Sequence, residues 1–172
     1  MTMTVADTAF STGTRHGPAE HINSTLPGPL LRLKEGQNLV VDLVNNSSEG
    51  TSIHWHGMLV PFLMDGVPGV TMAAVESGES FRYEFPVRQA GTYWWHAHTL
   101  QEPMGHYGPI IIDPAEPESH KYDRDYVVML SDWSPMHPHA IMKKLKVGEA
   151  PFNYQKTTAT DDYTMTGAER RM

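Results

Sequence analysis

Two short runs hold the residue types best able to do chemistry, Ser52-Ile53-His54-Trp55-His56-Gly57 and Tyr93-Trp94-Trp95-His96-Ala97-His98. Alternate side chains of a β-strand share a face, so each His-x-His sets two imidazoles on one side and forms a chelating pair. One such pair would carry little weight, because an isolated histidine is more often a surface or core residue. Here the pattern occurs twice, both times among β-forming residues, beside tryptophan and ahead of turn or loop residues. On neighbouring strands the two pairs would present their nitrogen donors to one small volume. That donor set suits a borderline transition metal, copper or zinc, rather than calcium or magnesium, which prefer oxygen.

Other candidates are weaker. Asp65 precedes Gly66 in a loop, where an aspartate either shapes the turn or serves as a carboxylate that moves protons. His137-Pro138-His139 repeats the spacing, but proline is excluded from a central strand, so this run reads as the entry to a helix. His106 follows a glycine and reads as an exposed loop residue. The 11 methionines are scattered; Met58, Met64, Met72 and Met104 fall near the histidine segments and read as gap fillers of an irregular core. Trp55, Trp94 and Trp95 read as walls of the site, packed on the face opposite the imidazoles.

The elements that must position these residues are short strands. Met3 to Phe10 reads as an edge strand, and Pro18 to Pro29 as an irregular approach with a turn at Leu26-Pro27-Gly28-Pro29. Leu31 to Lys34, Asn38 to Asn46, Thr51 to Gly57, Ser80 to Val87, Gly91 to His98 and Tyr107 to Asp113 follow as strands. Alternation is cleanest where Phe81, Tyr83 and Phe85 oppose Arg82 and Glu84. Short strands divided by Gly/Pro turns indicate an all-β sandwich. Pro114 to Ser119 reads as a linker, Tyr126 to Ser131 as a new strand, and Pro138 to Lys146 as a short helix with lysines at its C-terminal end. Lys156 to Met172 shows no closing strand pattern, so the expectation is a second domain begun but not completed.

Composition sets bounds. The 172 residues are 40% hydrophobic and 19% charged, an ordinary globular balance. A net charge of −7 argues against nucleic acid or an anionic membrane surface as partner. No apolar run reaches the ~18 residues of a membrane span, and Met1-Thr2-Met3-Thr4 lacks the basic-then-apolar order of a signal peptide. With no cysteine, this polypeptide can form no disulfide, no thiolate zinc site and no thiolate-bound blue copper.

Taken in register, Leu26-Pro27-Gly28-Pro29, His54-Trp55-His56-Gly57, Met64-Asp65-Gly66-Val67-Pro68-Gly69, Gly91 to His98 and Tyr107-Gly108-Pro109-Ile110-Ile111-Ile112 resemble the N-terminal cupredoxin domain of multicopper oxidases. Within that family the bacterial copper-resistance, laccase-like oxidases look most similar. The resemblance covers about residues 1–117, with 118–172 as linker and incomplete beginning of a second cupredoxin domain. It implies a Greek-key β-sandwich and copper as cofactor. By position, His54 would ligate the type 2 copper and His56, His96 and His98 the type 3 ions of a trinuclear cluster. Asp65 would assist proton delivery to dioxygen.

That cluster takes twice as many histidines as the two pairs supply. The rest, with the cysteine-bearing type 1 site, would come from a C-terminal cupredoxin domain. The resemblance therefore implies a fragment of a periplasmic oxidoreductase that passes electrons from a phenol or Cu(I) to dioxygen, with this chain inactive by itself and active only as part of the whole enzyme. The alternatives are a stand-alone copper-sequestering module without turnover, and a zinc site.

Overall fold

Period-two alternation builds the core of the computed structural model, which describes residues 1–147 in full and the backbone of 162–171. In β4 (Asn38–Asn45), Leu39, Val41 and Leu43 turn inward and are buried, as do Tyr83 and Phe85 of β6 (Ser80–Pro86). The strands pair antiparallel with Leu39 opposite Phe85 and Val41 opposite Tyr83, so their apolar faces coincide. β1 (Thr2–Ser11) runs parallel to β4 and adds Met3 and Val5, and β2 (His16–Ile22) pairs antiparallel with β1. The sheet order is β2-β1-β4-β6.

The second sheet, in order β3-β8-β7-β5, contains β3 (Leu31–Lys34), β5 (His54–His56), β7 (Gly91–His96) and β8 (Tyr107–Asp113). Its inward residues Leu31, Trp55, Trp95, Ile110 and Ile112 join those of the first sheet in one buried cluster. Two sheets packed over a shared apolar layer make the expected all-β sandwich. Gly28 lies where a Cβ would stand 2.4 Å from the Trp95 ring, and its N–H donates to the Tyr107 carbonyl at 2.8 Å. The Leu-Pro-Gly-Pro turn thus lets backbone lie against that indole.

Three readings need correction. Residues 18–22, taken as part of an irregular approach, belong to β2; Pro18 is tolerated because β2 is the outer strand of its sheet. β1 is consequently an interior strand rather than an edge. At the far end, the expectation of no strand after Lys156 fails for Asp162–Arg171, which forms β10 antiparallel to β9 (Arg124–Trp133). That pairing is made by backbone groups, which need no apolar periodicity. The part of the same stretch before Asp162, and Met172, lie outside the described residues.

The helix reading holds, as α1 (Pro138–Val147) begins at its proline. The sandwich is tied to β9 by Arg32, whose guanidinium contacts both carboxylate oxygens of Asp113 and reaches Asp125 at 2.7 Å. Among the described residues, no helix is long and apolar enough to cross a membrane.

One buried phenol links the core to the first histidine strand. The Tyr83 hydroxyl accepts the Ile53 N–H at 2.9 Å and donates to the Met72 sulfur at 3.4 Å. Burial pushes its pKa up to about 12. Because the folded value exceeds the unfolded one of about 10, this group's contribution is intact below about pH 10 and is lost as pH rises toward 12. Tyr83→Phe should flatten the alkaline limb of the stability curve and cost about 1–3 kcal/mol at neutral pH by orphaning the Ile53 N–H, as read by urea denaturation.

Candidate metal centre

β5 is held from both sides. Trp55 points into the core, fully buried and edge-on to Tyr83 and Phe85, both at 5.4 Å between centroids. Its neighbours His54 and His56 therefore face outward on the other side. At Gly66 a Cβ would sit 1.7 Å from the Ile53 carbonyl oxygen, and φ is +76°, so the loop can lie against β5 only with glycine there.

Antiparallel pairing with β7 sets His54 opposite His96 and His56 opposite Trp94. The His54 ring centroid is 5.3 Å from that of His96, 5.8 Å from His56 and 5.2 Å from His98. His54, His56 and His96 each offer a ring nitrogen, and these lie within 4.8 Å of one another. His98 stands in a bend just past the end of β7, exposed, with its ring 5.9 Å from His96. The structure thus brings the four rings to one edge of the sandwich and places three of the donors in direct reach of one another.

Hydrogen-bond partners orient the rings. His54 Nδ1 is 2.7 Å from the Asp65 carbonyl oxygen, and His96 Nδ1 is 2.9 Å from that of Ala97. A carbonyl can only accept, so both Nδ1 atoms carry the hydrogen and both Nε2 atoms present a lone pair, that of His96 accepting from His56 Nδ1. His96 Nε2 lies 3.2 Å from His56 Nδ1. Two nitrogens each about 2.0–2.1 Å from one tetrahedral ion stand about 3.3 Å apart, so this pair fits a transition metal. Carbonyl-anchored imidazoles are the arrangement expected around such an ion.

Asp65 serves the turn and the site at once. It caps the 3-10 turn Phe62–Met64 through its N–H, its carbonyl anchors His54, and its half-buried carboxylate lies 3.4 Å from His54 Nδ1. Glu102, which the sequence did not single out, brings Oε2 to 3.0 Å from His96 Nδ1.

Two readings of neighbouring residues are overturned. Trp94 does not pack in the core: two positions from His96 on the same strand, it shares the imidazole face and stacks on His96 at 4.1 Å and 14°. His106 is not an exposed loop residue but fully buried, with Nδ1 3.1 Å from Glu20 and 3.2 Å from Thr51. Local sequence held no signal for it, since its partners come from distant parts of the chain. His139, by contrast, lies in an exposed pair with Glu49 at 3.2 Å, away from the centre, and Met58 and Met104 fill the core.

Burial and then the neighbouring His96 and His54 depress the pKa of His56. Neutral imidazole is the ligand form, so His56 is kept ready for a cation. In a pH titration by 1H–15N NMR, His56 should protonate below the usual histidine range near 6.5. Since the folded value is the lower one, its ionisation should subtract stability as pH falls through that range.

A family model described as multicopper oxidase matches residues 4–117. Copper resistance protein A of Escherichia coli is 47% identical over 157 residues, 91% of this chain and 26% of the relative. Copper resistance protein A of Pseudomonas syringae pv. tomato is 47% identical over 86% of the chain and 24% of the relative. Among solved structures, the laccase of Botrytis aclada superimposes with a TM-score of 0.79 at 33% identity, covering 95% of this chain and 30% of that one. The blue copper oxidase of Nitrosomonas europaea gives 0.77 at 30% identity, covering 95% and 52%. The chain spans about a quarter of the length of the curated relatives it matches. With its sandwich, its facing His-x-His pairs and these similarities, the chain belongs to the multicopper oxidase family.

Proposed function

We propose that this chain supplies one side of a copper cluster at which the whole oxidase reduces dioxygen to water, with residues 1–117 as its N-terminal cupredoxin domain and 118–172 opening a second. The observation that carries this reading is the convergence of the His54, His56 and His96 nitrogens within 4.8 Å across the β5–β7 pairing. In this reading His54 ligates the type 2 copper, and His56, His96 and His98 the type 3 pair. Copper, when bound, supplies one-electron redox chemistry and the site at which dioxygen is reduced.

The chain's own residues have narrower tasks. His54 and His96 are held with Nε2 available because main-chain carbonyls occupy their Nδ1 hydrogens. Asp65 Oδ1, partly exposed beside His54, can take a proton from solvent and release it on the His54 side, where dioxygen reduction would require protons. The remaining ligands and the cysteine of the electron-entry site come from a C-terminal cupredoxin domain, since this chain has no cysteine. Electrons then originate from a phenol or Cu(I), with the periplasm as the compartment.

Two experiments test this. The purified chain should bind Cu(II) without an intense blue thiolate band and without oxygen uptake on a phenol, and His54→Ala with His96→Ala should weaken binding at least tenfold. Exchanged for the matching segment of the Escherichia coli relative, the chain should sustain copper-dependent oxygen uptake, which the same double substitution should abolish. Unchanged copper binding in the double variant overturns the ligand assignment. Turnover by the isolated chain overturns the shared-cluster reading in favour of a self-sufficient site, and a chimera that binds copper without oxygen uptake favours a sequestering module.

A further inference from the structure

Resting on the reading of His96 as a ligand, we propose that Trp94 and Glu102 are positioning residues that hold His96, and with it the His56–His96 nitrogen pair, in metal-ready geometry. Trp94 sits opposite His56 in the β5–β7 register and two residues before His96 on its own strand. One indole therefore meets both rings: His96 is stacked on it at 4.1 Å and 14°, and His56 leans on it at 5.0 Å and 31°. A flat surface behind both imidazoles restricts their rotation while leaving the hydrogen-bonded nitrogens, 3.2 Å apart, on the side where an ion would replace the shared hydrogen.

Glu102 acts on the edge of the same ring. Its Oε2 is 3.0 Å from His96 Nδ1, the atom that also faces the Ala97 carbonyl. Negative charge there favours the hydrogen on Nδ1 and hence a lone pair on Nε2. The carboxylate is placed by a firm turn: Gln101 is buried and accepts from the Thr99 hydroxyl at 2.7 Å, and Gly105 closes the 3-10 turn Glu102–Met104 with φ +104°. His54 has the same two partners in another form, a carbonyl at 2.7 Å and the Asp65 carboxylate at 3.4 Å. Each interior histidine of the face is thus backed by one main-chain oxygen and one carboxylate.

The test uses the full chain and Cu(II) alone as probe. Glu102→Ala and Trp94→Ala should each weaken Cu(II) binding about tenfold, with Glu102→Gln and Trp94→Phe recovering part of the loss. In the metal-free chain at pH 8, long-range 1H–15N spectra should show His96 hydrogenated on Nδ1, and a mixture of tautomers in Glu102→Ala. Thermal unfolding of Glu102→Ala should match the parent, because that side chain is 43% exposed. Parental Cu(II) affinity in both alanine variants, alongside weakened binding in His96→Ala, overturns the proposal. If His96→Ala binds like the parent, the ligand reading fails instead, and an unchanged His96 tautomer in Glu102→Ala then overturns the positioning role separately.

Discussion

The backbone ladder between β5 and β7 is the constraint on which the site depends. Because His54 pairs with His96 in register, the imidazole faces of both strands coincide. A slip by one residue would send one pair into the core and bring its tryptophans out, since side chains alternate strictly. The register is guarded from the apolar side: Trp55 and Trp95 are fully buried there, and exposing either would forfeit a large aromatic contact area. The tryptophans between and before the histidines therefore determine which way the histidines face.

β5 has only three residues, too few to be held by its own ladder. Its support comes from outside the sheet. The Tyr83 hydroxyl from the opposite sheet takes the Ile53 N–H, and the Asp65-Gly66 turn closes over Ile53 and delivers a carbonyl to His54. The same turn that could be read as mere loop geometry thus orients a donor nitrogen. In Asp65 the main chain makes the turn and anchors His54, while the carboxylate stays partly exposed beside that ring.

Electrostatics follow from this crowding. The His56 imidazole, brought to 5–6 Å from those of His54 and His96 at a partly desolvated edge, resists protonation. Neutral rings with anchored Nδ1 hydrogens are poised for a cation without large rearrangement. The cost of assembling them is borne by the fold, through the buried sandwich beneath.

The sequence by itself determined the sandwich, the shared face of each His-x-His pair and the place of Asp65 in a turn, because these rest on local spacing: period-two alternation, His-x-His, and Gly/Pro turns at set positions; five motifs in register carried the resemblance to the family. What tertiary structure alone decided was partnership. Residues 16–22 and 162–171 lack strong alternation, yet become strands because neighbouring backbones offer them hydrogen bonds. His106 is buried because Glu20 and Thr51 reach it from far along the chain. Glu102 meets His96 only because a tight turn folds back on the strand before it. Spacing records which face a side chain takes; which atoms wait on that face is fixed by strand pairing and loop closure, through contacts between residues far apart in the chain.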